Sequence, residues 1–329
     1  MKRTSPVSIC LTTYNRASVL PVTLDSLLTQ DYADFELIIS DDCSTDGTED
    51  ICRDYASRDS RILYRRNKSN VRMPDNLNKA IRETRGEYIA IAHDGDVYRP
   101  DLISAWKNAL DRVPSAAFVF NAYESRERNG NWKIFRAPYP FLIPKNEIAK
   151  HFFRTLTSCV WGTVMMRRAP HEAVGPFNRK FGFVSDVDMW LKLSRDYDVV
   201  YIDEPLIKLH PREADHVYDS LVWLQTYHIL AIYAEHLCYY RQALPEETRR
   251  LMKSYAWRRR AVFLRQALTY LKNSQRNTLS EGFSLWRDSN DIVLSFIGHL
   301  FGRAKRQPHW YRRDHWENTD FKYQKRDCS

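Results

Sequence analysis

Two aspartates flank a glycine at Asp94-Gly95-Asp96, and a second acidic pair, Asp41-Asp42, precedes the turn-forming run Cys43-Ser44-Thr45-Asp46-Gly47. Hard carboxylate oxygens crowded into one loop suit a divalent cation that also bridges phosphate oxygens. A carboxylate can equally accept from a pyrimidine N–H or from ribose hydroxyls. A third cluster, Thr12-Thr13-Tyr14-Asn15-Arg16, adds hydroxyls, an amide and a flat aromatic face for a heterocycle. Farther on, Ser185-Asp186-Val187-Asp188 opens a helical pattern with two acids in its first turn. At about 100° per residue those acids point about 200° apart, so only one can face a cleft. Turns, N-caps and helix-dipole partners account for any one of these groups taken singly. Their placement along the chain argues for more.

Each of the first three clusters ends an apolar, β-branched run: Val7-Ser8-Ile9-Cys10-Leu11, Phe35-Glu36-Leu37-Ile38-Ile39 and Tyr88-Ile89-Ala90-Ile91-Ala92. Ligands of open α/β sheets bind beyond the carboxyl ends of the strands, so the clusters are expected to converge. Helical patterns occupy roughly 18–30, 46–57, 74–84 and 100–112, two of them opened by Pro74-Asp75 and Pro100-Asp101. This alternation predicts βαβ units and a parallel sheet. Runs at 117–123 and 132–135 around Asn129-Gly130-Asn131 predict a hairpin, hence a mixed sheet. A helix near 144–154, a strand over 160–167, a helix over 185–196 and a strand over 198–210 complete this region. Beyond Pro211 the pattern turns to helices at about 216–243, 245–272 and 280–302, followed by a basic, aromatic tail. The expected organisation is a sheet domain over 1–215, a helical extension over 216–302 and a tail over 303–329.

At 329 residues and 43% hydrophobic, the chain can bury a large core. Its net charge of +9 is uneven: residues 216–329 carry 19 Lys and Arg against 11 Asp and Glu. That surplus admits attraction to anionic head groups. The sequence carries neither a nucleic-acid-binding motif nor a compact basic stripe, so nucleic acid is not an expected partner. Six cysteines without Cys-x-x-Cys spacing argue against a disulfide framework or a zinc site. No apolar run approaches the roughly 20 residues of a membrane span. Met1-Lys2-Arg3-Thr4-Ser5-Pro6 leads straight into the first strand with no signal-peptide core, so a cytoplasmic protein is expected, with a place at the cytosolic membrane face open to it.

The stretch VSICLTTYNRASVLPVTLDSLLTQDYADFELIISDDCSTDGT, then GEYIAIAHDGDVYRPDLI, then GPFNRKFGFVSDVDMWLKLSRDYDVVYIDEPLIKLHP resembles the inverting glycosyltransferases of family 2, over roughly residues 5–212. The resemblance implies a GT-A, Rossmann-like α/β fold: a mixed, mostly parallel sheet flanked by helices, here with an all-helical C-terminal extension. It implies that Thr13, Tyr14, Asn15 and Arg16 lie against the donor nucleotide, that Asp42 pairs with the base, and that Asp94 lies near ribose and diphosphate. The Asp94/Asp96 loop would hold Mn²⁺ or Mg²⁺. Aligned by Tyr98 and Pro100, the family's usual metal-binding aspartate falls on Gly95, so either Asp94 or Asp96 takes its place, Asp96 being the favoured one, or the metal is held less tightly. Asp186 matches the family's catalytic base, with Ser185 in place of the usual Glu. His210 matches a histidine found near the metal or diphosphate. Trp161 and Gly162 fall on the acceptor side, with Asp188 beside them or bracing the helix. The activity implied is transfer from a nucleotide-sugar, a UDP-sugar foremost, to a hydroxyl of a glycan or lipid-linked acceptor with inversion, as in bacterial polysaccharide or glycoconjugate synthesis. Peripheral membrane contact through the basic last third and a homodimer are compatible with it. A nucleotidyltransferase acting on sugar phosphates is the first rival, disfavoured because no glycine precedes Gly47 to build a phosphate loop. A catalytically weak nucleotide-sugar or membrane binder is the second.

Overall fold

The computed structural model describes residues 6–127, 130–155, 158–209 and 216–250, with scattered positions from 260 to 268. His210, the helix expected over 280–302 and the basic tail lie outside the described residues, as does most of the helix expected over 245–272. The chain divides into two compact units, residues 1–152 with 157–211, and residues 153–156 with 212–329.

The first unit opens with β1 (Val7–Thr13), α1 (Leu20–Leu28), β2 (Phe35–Asp41), α2 (Thr48–Arg58), β3 (Ile62–Arg66), α3 (Asp75–Glu83) and β4 (Tyr88–His93). It continues with β5 (Val97–Tyr98), α4 (Leu102–Arg112), β6 (Ala116–Arg126), β7 (Trp132–Phe135), β8 (Leu142–Ile143), α5 (Glu147–Thr155, whose last turn from Phe153 belongs to the second unit) and β9 (Met165–Arg167). Then come α6 (Arg168–Val174), a 3-10 turn (Arg179–Val184), α7 (Ser185–Asp196) and β10 (Asp198–Lys208). The sheet runs β3-β2-β1-β4-β9-β6-β10-β5, with β7 on β6 and β8 on β10. Strands β1 to β4 are parallel neighbours, as are β6 and β10, while β9 runs antiparallel to both β4 and β6. The sheet is mixed, as the hairpin signal predicted.

Central strands are apolar on both faces because helices cover both. Val7, Ile9, Cys10 and Leu11 of β1 and Leu37, Ile38 and Ile39 of β2 are fully enclosed. Leu20, Thr23, Leu24 and Leu27 form the inward stripe of α1, at the helical spacing that makes one face. Thr23 is the polar member of that stripe and has a separate task at the site.

Several elements depart from the sequence expectation. The strand expected over 160–167 is regular only from Met165 to Arg167. Its earlier half is a loop in which Trp161 keeps part of its ring in water. The helix expected from 144 starts at Glu147, after Asn146 takes a left-handed φ of 70°. Strand β3, unexpected from sequence, adds an outer edge on which only Ile62 is buried. In the second unit, α8 (His216–Ala243) brings Tyr233 and Tyr240 edge-on to Phe153 at 5.9 and 5.2 Å. Among the described residues, no helix is long and apolar enough to cross a membrane.

Candidate active site

The parallel register brings the ends of three strands together: Thr13 of β1 lies opposite Asp41 of β2, and Thr12 opposite His93 of β4. Side chains then tie the loop at the end of each strand to its neighbour. Asn15, at φ 52°, donates its backbone N–H to Ser44 Oγ at 2.9 Å, and its Oδ1 accepts from Thr45 N–H at 2.8 Å. Arg16 N–H donates to Thr48 Oγ1 at 2.9 Å and Ala17 N–H to Asp46 Oδ2 at 3.1 Å. The loops after β1 and β2 are thereby joined by four hydrogen bonds. Tyr14 stands out of this seam, 45% exposed, with its ring available.

The two acids after β2 do different things. Asp41 is wholly buried; its Oδ1 accepts from Ser44 N–H at 2.9 Å and Ser44 O–H at 2.5 Å, and its Oδ2 from the Tyr64 hydroxyl at 2.8 Å. Asp42 Oδ1 accepts from Asn67 Nδ2 at 2.9 Å and Val71 N–H at 2.8 Å, and Oδ2 from Arg72 N–H at 2.7 Å. Asp42 is therefore a fixed carboxylate that shapes the segment before α3, with room at Oδ2 for one further donor.

The loop after β4 is pinned from α1. Thr23 Oγ1 accepts from Gly95 N–H at 2.8 Å and donates to the Asp96 carbonyl at 2.9 Å. Gly95 has a φ of 90°, a conformation side chains rarely take, which explains a glycine between the two acids. Asp94 ion-pairs with Arg16 at 3.6 Å, linking this loop to the one after β1. Asp96 is buried close to Tyr98, whose hydroxyl is pushed well up by burial and then by the Asp96 and Asp94 charges.

Asp186 enters from the N-terminus of α7. A Cβ added to Gly162 would fall 2.8 Å from His93 Cε1, 3.2 Å from His93 Nε2 and 3.5 Å from Asp186 Oδ2. Gly162 thus gives these two side chains the space in which to approach. Part of Asp186 is open to water, but its carboxyl sits deep enough that desolvation raises its pKa to about 6, against the opposing pull of the Val187 N–H. Asp188 is buried and ion-paired with Lys192 at 2.6 Å one turn on, an arrangement that fits a brace within α7.

The structure therefore gathers Thr13, Asn15, Arg16, Asp42, Asp94, Asp96, Gly162 and Asp186 at the carboxyl edge of one sheet, while Tyr14 and Trp161, each next in sequence to one of these residues, are partly exposed. Sequence reading placed His93 in the polar cluster that ends the third strand but gave it no role of its own, and it missed Thr23. His93 ends β4 inside the same polar cluster, which is a usable signal; Thr23 lies in a helix and gave none. Among the described residues no three His, Cys, Asp or Glu side chains converge into a self-sufficient metal cage. Asp94 and Asp96 offer hard carboxylate oxygens from one loop, and these are the residues that would hold a divalent cation such as Mg²⁺ or Mn²⁺.

Residues 8–175 match the profile of glycosyl transferase family 2. An uncharacterized glycosyltransferase of Rickettsia typhi is 29% identical over 227 residues, 68% of this chain and 70% of that protein. Residues 1–349 of S. aureus TarS, crystallised in complex with UDP-GlcNAc, superpose with a TM-score of 0.53 at 18% identity, over 85% of this chain and 91% of that one. The mannosyltransferase PcManGT from Pyrobaculum calidifontis, in complex with GDP-Man and Mn²⁺, gives a TM-score of 0.50 at 17% identity, over 91% of this chain and 87% of that one. At such identities the likeness speaks for the fold, a mixed sheet flanked by helices in the GT-A arrangement. The profile spans more than half of the sequence, and on that ground the chain belongs to glycosyl transferase family 2.

Proposed function

We propose that this glycosyltransferase moves a sugar from a UDP-sugar to an acceptor hydroxyl with inversion at the anomeric carbon. The observation that carries the reading is Asp186: a carboxylate raised to about 6, facing the gap left by Gly162, on the edge that also holds the Asp94/Asp96 loop. A base with that pKa is mostly ionised near neutrality yet still basic enough to draw a proton from a hydroxyl as it attacks. One base and one displacement give inversion, and no second carboxylate is required as a nucleophile. Tyr14 offers its face to the nucleotide base, and Asp42, held by three donors, retains acceptor capacity at Oδ2 for a pyrimidine N–H. Arg16, tethered to Asp94, adds a permanent positive charge beside the diphosphate. Mg²⁺ or Mn²⁺ held by Asp94 and Asp96, when bound, supplies charge for the departing diphosphate. UDP-GlcNAc and GDP-Man bound to the structural neighbours support a nucleotide-sugar donor here.

A hydrolysis and thermal-shift screen of nucleotide-sugars, with and without Mn²⁺, tests this reading. UDP-sugars are expected to raise the melting temperature, more so with Mn²⁺. Preference for GDP or CMP donors would overturn the UDP assignment, and an unchanged Mn²⁺ response in Asp96→Ala would remove that residue from the metal site.

A further inference from the structure

Asn76 and Lys79 stand one turn apart on α3, and both side chains reach Asn67, the residue just past the end of β3. The Lys79 ammonium donates to Asn67 Oδ1 at 2.9 Å. Asn67 Nδ2 donates in turn to Asp42 Oδ1 and to Asn76 Oδ1, each at 2.9 Å. Asn76 Oδ1 also accepts from the Ser40 hydroxyl at 2.6 Å, while its Nδ2 donates to the Ser40 carbonyl at 3.0 Å. The backbone holds the other side of Asn67, whose N–H donates to the Asp41 carbonyl at 2.8 Å. Ser40, Asp42 and Asn76 are buried, so these bonds are made away from water.

A side-chain amide can be turned over, exchanging its donor for its acceptor. Both ends of this network forbid it. An ammonium has protons to give and no lone pair to receive, so Asn67 must turn its oxygen to Lys79 and its NH2 to Asp42. The Ser40 carbonyl only accepts, which sets Asn76 the matching way round. Val71 and Arg72 add two backbone N–H groups, so all three contacts of Asp42 are donors and its carboxylate is presented as an acceptor. Support of α3 alone would be served by either orientation of the amide; the ammonium selects one. Uracil carries an N–H at ring position 3, between two carbonyls, where cytosine carries a bare nitrogen. A buried acceptor set against a bare nitrogen is left unpaired, a mismatch that costs binding instead of merely adding nothing. We infer that Lys79 and Asn67 are positioning residues for donor choice: acting through Asp42, they make the site take a base that offers a ring N–H and turn away cytidine nucleotides. The assignment rests on the UDP-sugar reading, with Asp42 against the base.

Calorimetric titration of UDP and of CDP into the full chain, with Mn²⁺ present, tests this. Wild type is expected to bind UDP about tenfold or more tighter than CDP. Lys79→Met keeps the reach of the side chain but removes its protons, and is expected to bring that ratio to about threefold or less, chiefly by weakening UDP. Asn67→Ala is expected to act in the same direction. A loss of fold support would weaken both nucleotides alike, so the ratio separates positioning from support. A wild-type ratio near or below one, or a wild-type ratio kept in either variant, would overturn the assignment. A wild-type chain that binds neither nucleotide would overturn the donor reading and the assignment together.

Discussion

Asp186 owes its chemistry to its surroundings rather than to its type. A carboxylate at a helix N-terminus is ordinarily held low by the dipole, yet here desolvation outweighs that pull and lifts the pKa to about 6. Transfer activity is therefore expected to climb with pH through about 6, as the base loses its proton. A rate profile flat between pH 5 and 8 would remove Asp186 as the titrating base. The same shift acts on folding. A carboxyl whose folded pKa exceeds its unfolded value binds its proton more tightly in the native state. The stability it contributes is full below about 4, and is lost as pH rises through about 6. Asp186→Asn is accordingly expected to melt higher than wild type at pH 8, by about 2 °C or more, in a calorimetric scan. At this scale the acid spacing in α7 left only one of two residues to face a cleft, and the family resemblance, not the spacing, singled out Asp186. It was less so for Asn15 and Asp42. Their types suit a ligand, but their acceptor oxygens spend most of their capacity on Thr45, Asn67, Val71 and Arg72.

Among the elements, α1 holds the acidic loop in place through one buried hydroxyl. Thr23→Val would leave Gly95 N–H and the Asp96 carbonyl without their partner in a buried setting, at a cost of about 1–3 kcal/mol each. Denaturant unfolding should register that loss, and the donor KM should rise because the loop bearing Asp94 and Asp96 is freed; wild-type values of both would show that the loop holds itself. The strands that matter most, β1, β2 and β4, were readable from unbroken apolar runs because both of their faces are covered. Strand β3 was not: of Ile62-Leu63-Tyr64-Arg65-Arg66 only Ile62 is buried, so an edge position erases the pattern. Strand β9 contributes only Met165–Arg167 between two long neighbours, and the Trp161-Gly162 loop before it had no separate signature. The hydrogen bond from Thr45 to Asn15 and the close approach of His93 to Gly162 join residues far apart in sequence, and no local pattern encodes them.

Across the first unit, the strand order places the site. From β1 the sheet grows one way through β2 to β3 and the other way through β4, so the loops after β1 and β4 part around a crevice at its carboxyl edge. Tyr14, Asp42 and the Asp94/Asp96 loop all border that edge, and α7 brings Asp186 to it from a later part of the chain. On the proposed reading this edge is one site with divided labour, the strand-end loops taking the donor and Asp186 taking the acceptor proton. Sugar transfer and UDP affinity, measured side by side in Asp186→Asn, separate the two roles. Transfer is expected to fall by about 10²–10⁴-fold, with UDP affinity kept within about threefold of wild type. Transfer at the wild-type rate would refute the division.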